Sequence, residues 1–134
     1  MRKFTLFALA VGVAAVLTAC SGGSSLTGRT WQLTATTTKV PASQGVVTDP
    51  QNYTIEFKSD GTFSAKADCN QVAGSYTTSG SSLTITPGPT TMVACAPESL
   101  SAVYIAGLGN AATYAIASSQ LTITTKDEST MTFK

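Results

Sequence analysis

The stretch from Asp68 to Cys95, DCNQVAGSYTTSGSSLTITPGPTTMVAC, begins and ends beside two cysteines and encloses a hairpin pattern. It restricts the fold more than any other part of the chain. Val72, Gly74, Tyr76 and Thr78 alternate along one face of a strand. Thr78-Ser79-Gly80-Ser81 turns the chain, and Leu83 and Ile85 carry it back until Pro87-Gly88-Pro89 is expected to stop it. A bond between Cys69 and Cys95 would clamp both flanks of that hairpin.

Whether the cysteines pair depends on where the chain lives. Arg2 and Lys3 precede an apolar run of about 16 residues, shorter than the roughly 20 a membrane-spanning helix needs. The run ends in Leu17-Thr18-Ala19-Cys20, which predicts a signal peptide over residues 1–19. Leu-Thr-Ala-Cys resembles the bacterial lipobox, which implies cleavage before Cys20 and acylation of its thiol, with diacylglycerol and palmitate-type chains as membrane anchor. Ser21, in place of an Asp, implies outer-membrane rather than inner-membrane placement in a Gram-negative cell. Residues 20–25 then form a lipidated cysteine and a flexible tether, with a reach on the order of 12 Å. Exported thiols meet oxidising surroundings, so Cys69 and Cys95 are expected to pair. Closing about 27 residues would contribute roughly 3.5 kcal/mol in the loop-entropy picture.

The remaining segment, residues 26–134, has the length of one domain. Trp31, Leu33 and Ala35 alternate with polar neighbours over Thr30 to Thr37. Lys39 to Gln51 contains Pro41, Gly45 and Pro50 with little periodicity and reads as a long loop. Tyr53, Ile55 and Phe57, a turn at Ser59-Asp60-Gly61, then Phe63 and Ala65 make a hairpin. Pro97 suits the first turn of a helix whose buried face would carry Leu100, Val103, Tyr104 and Leu108, ending at Gly109-Asn110. Tyr114 and Ile116, Leu121 and Ile123, and Met131 and Phe133 mark three more strands, with turns at Ser118-Ser119 and Lys126 to Ser129. Hairpin connections rule out a parallel sheet. The expected class is α+β: about eight short antiparallel strands in a strongly curved or partly closed sheet, with one helix packed on it.

The chemical inventory is sparse. The chain has no histidine, so neither a Ser-His-Asp nor a Cys-His arrangement can be built, and two thiolates with scattered carboxylates make a poor metal site. Asp60 and Asp68 are explained by turn and strand-end positions. Without Arg2 and Lys3 the chain carries six cationic side chains against seven acidic ones, well dispersed, which argues against nucleic-acid binding. No catalytic residue, cofactor or metal is expected. The reading is a non-enzymatic envelope protein with a membrane contact through Cys20, an envelope protein as its partner, and a monomeric state. The alternative is a carrier that holds a small apolar or lipid-like ligand in the curved sheet, lined by Trp31, Tyr53, Phe57, Phe63 and Tyr76.

Several pieces, in order, resemble the META/HslJ domain family: Trp31-Gln32-Leu33, Tyr53 to Phe57 with Asp60-Gly61-Thr62-Phe63, Cys69-Asn70, Gly74-Ser75-Tyr76, Leu83-Thr84-Ile85, and Thr91-Met92-Val93-Ala94-Cys95. The family motif thus falls on Asn70, Gly74, Tyr76, Thr91 and Ala94. The resemblance spans about Leu26 to Phe133 and implies a small β-rich domain with one helix, often on an envelope lipoprotein and linked to stress tolerance, with no enzyme activity. Three features depart from the pattern: Val93 replaces a frequent Met, the connection after Cys95 is short, and Ser101 stands where Glu is expected. Leu26-Thr27-Gly28 before Trp31 also resembles the opening of avidin-like and lipocalin barrels, but a single Trp and a central helix argue against a biotin pocket.

Overall fold

The computed structural model describes residues 25–134; the segment expected to be a signal peptide, Cys20 and the tether up to residue 24 lie outside the described residues. Nine strands form one antiparallel sheet: β1 (Thr30–Lys39), β2 (Ala42–Val46), β3 (Tyr53–Phe57), β4 (Thr62–Ala67), β5 (Asn70–Ser79), β6 (Ser82–Thr90), β7 (Ala111–Ala117), β8 (Gln120–Thr125) and β9 (Thr130–Phe133). A short 3-10 turn, Pro50–Asn52, precedes β3, and one helix, α1 (Ser101–Gly109), lies between β6 and β7. Because β9 also pairs with β1, eight of the strands close into a barrel and β2 stands outside the ring.

Alternation decides what fills the barrel. Trp31, Leu33, Ile55, Phe57, Phe63, Leu83, Leu121, Ile123 and Phe133 all point inward and are essentially inaccessible. Their neighbours along each strand are Thr, Ser, Gln, Glu or Lys, which suit an exposed sheet face. Trp31 also donates its indole N–H to the Leu26 carbonyl at 2.9 Å, which folds the incoming chain across the barrel mouth. Thr27 bridges to Phe57 at the same end. We call this the proximal end; it holds the β3–β4, β5–β6 and β7–β8 turns.

At the other, distal end, α1 runs from the top of β6 to the start of β7 and caps the barrel. Tyr104 and Leu108 point into the core, with the Tyr104 ring edge-on to Tyr53 at 5.9 Å between centroids. The helix starts at Ser101, four residues after the predicted Pro97, and Val103 faces outward, 63% exposed, against the expectation that it is buried. Only Tyr104 and Leu108, one turn apart, are needed to plug the opening. The seam between β6 and β7 is thin, with Ser82 opposite Thr113 and the Tyr114 N–H on the Ser81 carbonyl at 2.9 Å.

Two further expectations are corrected. Pro87-Gly88-Pro89 does not end β6, which continues to Thr90. The β5–β6 register shifts in this stretch, between Val72 and Gly74, and such an irregularity is where a sheet accommodates proline. The stretch read as a loop after Lys39 contains β2, paired with β1 from Ala35↔Val46 to Lys39↔Ala42 around a turn at Val40-Pro41. Its residues are all exposed, so no hydrophobic alternation announced it.

Candidate functional site

The distal end gathers the features that could do something other than hold the fold. A two-residue turn at Asp68-Cys69 joins β4 to β5, with Asp68 in the left-handed region at φ 59°. It places Cys69 on the rim and turns the next side chain, Asn70, inward to 5% exposure. Cys69 is bonded to Cys95, with the Cα atoms 5.7 Å apart.

Asn70 satisfies its amide on the segment that returns past it. Its Oδ1 accepts from the Val93 N–H at 2.8 Å and the Thr91 hydroxyl at 3.1 Å. Its Nδ2 donates to the Val93 carbonyl and to Ser101 Oγ, both at 3.0 Å, and lies 3.3 Å from Cys95 Sγ. The side chain therefore acts on Val93 as a neighbouring strand would, through both N–H and C=O. Thr91 pairs with Gln71 through its N–H at 3.0 Å and accepts the Gln71 N–H on its hydroxyl at 2.9 Å. At the far end of the strap the Leu100 N–H reaches Tyr53 Oη at 2.9 Å. Thr91 to Leu100 is thus a strap fastened by a ladder bond, an asparagine, a disulfide and a tyrosine.

Two recesses flank the cap. One, of about 400 Å³, lies under the strap between Thr91–Ala96 and Ser99, Ser101, Ala102 and Ile105. The other, of about 310 Å³, runs between α1 and the upper parts of β1 and β9, with Leu33, Leu100, Val103, Tyr104 and Met131 as apolar walls and Thr36 to Thr38 and Thr130 on the rim. Asp127 stands at that rim, and the Thr125 hydroxyl that it accepts holds its carboxyl below the ordinary range. Among the described residues no group of three or more His, Cys, Asp or Glu is placed to hold a metal.

The site residues suggested by the sequence divide accordingly. Asn70, Thr91, Ala94, Cys69 and Cys95 come together at the strap. Gly74 and Tyr76 lie further down β5, where Gly74 lets Phe63 and β6 approach and Tyr76 donates to the Lys58 carbonyl at 2.6 Å. Trp31, Tyr53, Phe57 and Phe63 are buried in the packed interior, and none of them, nor Tyr76, lines either recess. Ser101 is buried and fastened to Asn70. Both recesses were missed from the sequence, since each joins residues more than fifty positions apart or lies on exposed, weakly patterned segments.

The Tyr104 hydroxyl is fully buried with no hydrogen-bond partner, and burial pushes its ionisation far above the usual phenol range. Leaving such a group unpaired costs about 1–3 kcal/mol. Tyr104→Phe is therefore expected to stabilise the fold by about 1 kcal/mol, read from a higher urea midpoint at unchanged slope.

Fold and site define a small closed-barrel domain with a helical cap and a disulfide-fastened strap. The chain belongs to the META domain family, which matches residues 24–134. Among solved structures it is similar to a protein from Burkholderia xenovorans studied by NMR, at 22% identity and TM-score 0.65, over 81% of this chain and 82% of that one. It is also similar to a DUF4847 family protein from Bacteroides vulgatus ATCC 8482, at 17% identity and TM-score 0.57, over 78% and 89%. At these identities the likeness concerns the fold. No curated protein matches the chain.

Proposed function

We propose that this META domain protein is a lipid-anchored, non-enzymatic component of the bacterial envelope, acting through protein contacts made at its distal end and contributing to stress tolerance. The supporting observation is the polarity of the domain. The chain comes in at the proximal mouth, where Leu26 is held by Trp31, while the cap, the strap, both recesses and β2 lie at the opposite end. A tether from Cys20 would therefore leave the distal end facing away from the membrane. Cys20→Ala is expected to shift the protein from the membrane to the soluble fraction and abolish fatty-acid labelling; retention of both would refute the anchor. Growth of a deletion strain under heat and detergent tests the stress role, and unchanged growth in every condition would count against it.

A second reading is a carrier for a small apolar or lipid-like molecule. The recess between α1 and β1 favours it, being apolar in its walls and at the lower end of the volume range of ligand sites. The barrel interior does not favour it, because Trp31, Tyr53, Phe57 and Phe63 are buried in the core, with Phe57 packed on Tyr76 and Tyr53 on Tyr104. Native mass spectrometry of the purified protein distinguishes the readings: a consistently ligand-free species would leave the carrier without support.

A further inference from the structure

Closing a sheet into a barrel removes its edges, and β2 restores one. It pairs with β1 on one side and with no other strand among the described residues. The Val47 N–H donates to the Thr34 carbonyl at 2.9 Å. Antiparallel alternation then directs the backbone groups of Gly45 and Ser43 to β1 and leaves those of Ala42, Gln44 and Val46 on the free edge. Natural edges are blunted by charge, by proline within the strand, or by bulges. Here Val40 to Thr48 contains no charged residue, β2 itself has no proline, and its register with β1 is unbroken. Val40 and Val46 are 90% and 83% exposed beside that edge.

We infer that β2 is a self-association edge and that its occupant is β2 of a second copy of this chain, antiparallel about a two-fold axis through Gln44. The unpaired groups are spaced for this arrangement. Gln44 meets Gln44, and Ala42 meets Val46 twice, so every outward N–H and C=O of the strand finds a partner. One-residue slips in either direction oppose inward-directed groups and form none of these bonds. The segment's lack of charge removes the repulsion that like side chains would otherwise meet across the axis. The two-fold axis also reverses one barrel relative to the other, so the copies meet distal end to distal end. Copies tethered upright side by side on one surface are wrongly oriented for it; copies on facing surfaces, or free in detergent solution, are not. This departs from the monomer expected from the sequence, and it does not depend on the lipid anchor.

The test uses the full chain in detergent. Sedimentation velocity over a concentration series is expected to show a reversible dimer. Gln44→Pro removes an outward N–H without touching the β1 ladder and is expected to weaken association about tenfold or more, with unchanged circular dichroism. Directly opposed residues in a bonded pair lie about 5.5 Å apart between Cα atoms, within disulfide reach. Gln44→Cys is therefore expected to cross-link to itself under mild oxidation, well above the level of the unsubstituted chain and of Ser43→Cys. A monomer at all concentrations, or a dimer indifferent to Gln44→Pro with no Gln44→Cys cross-link, overturns the inference. Association with a different protein that Gln44→Pro abolishes, while this chain stays monomeric, would also overturn it and assign the edge to that partner.

Discussion

Gly74→Ala is expected to cost about 4 kcal/mol or more and to leave much of the protein unfolded at ordinary temperatures. A Cβ at this position would stand 2.2 Å from the Thr86 carbonyl oxygen and 2.9 Å from both the Gly88 nitrogen and the Phe63 ring. Two of the three obstacles are backbone of the adjacent strand, at the point where the β5–β6 register shifts, so no rotamer change can relieve the contact. The comparison is Gly80→Ala, where nothing lies within 4 Å and only the positive φ of 58° opposes a side chain. That change is expected to cost about 1 kcal/mol. Chemical denaturation of both variants checks the pair; equal costs would mean that β6 can move away from β5.

Reducing the Cys69–Cys95 bond, or replacing both cysteines with serine, is expected to lower stability by about 3 kcal/mol and the melting temperature by about 10 °C or more. The loss should be uneven across the molecule. Asn70 and the Gln71–Thr91 pairing still hold one end of the strap, and Tyr53 holds the other. Backbone amides of Ala94 to Ser99 should therefore exchange with solvent much faster after reduction, while those of β3, β4 and β8 change only with global stability. Uniform acceleration everywhere would show that the bond acts on the unfolded chain alone.

Much of the barrel was legible because its strands are half-buried in the simplest way. Tyr53, Ile55 and Phe57, or Leu121 and Ile123, alternate with polar residues, and Ser59-Asp60-Gly61 and Ser118-Ser119 turn where such residues turn. The helix was legible in existence but not in extent, since its N-cap, Leu100, makes no side-chain cap and nothing local announces where it begins. β2 was illegible for a different reason: a strand with both faces in water has no hydrophobic face to alternate. At the strap, the cysteines and the Asn70 motif marked the place. The polar contacts of Asn70 described above depend on Thr91, Val93, Cys95 and Ser101 arriving from more than twenty residues away, which no local pattern encodes. Helical spacing did mark Tyr104 and Leu108 as buried, but that they cap the end of a closed barrel follows from its closure.

The pairing of β1 with β9 has a temporal consequence. Gln32 and Lys134 exchange backbone bonds of 2.8 and 3.0 Å, so the ring is joined by residues at nearly opposite ends of the domain sequence. Such a contact brings the largest loop-closure entropy and belongs among the last events of folding. Until Thr130 to Phe133 are available, β1 lacks its partner on that side, and Leu33 and Trp31 have no complete interior to enter. A chain delivered amino-terminus first would therefore remain open until its final strand arrived. Thr130 to Phe133 act as the last stave of the ring, the piece whose arrival lets the interior close.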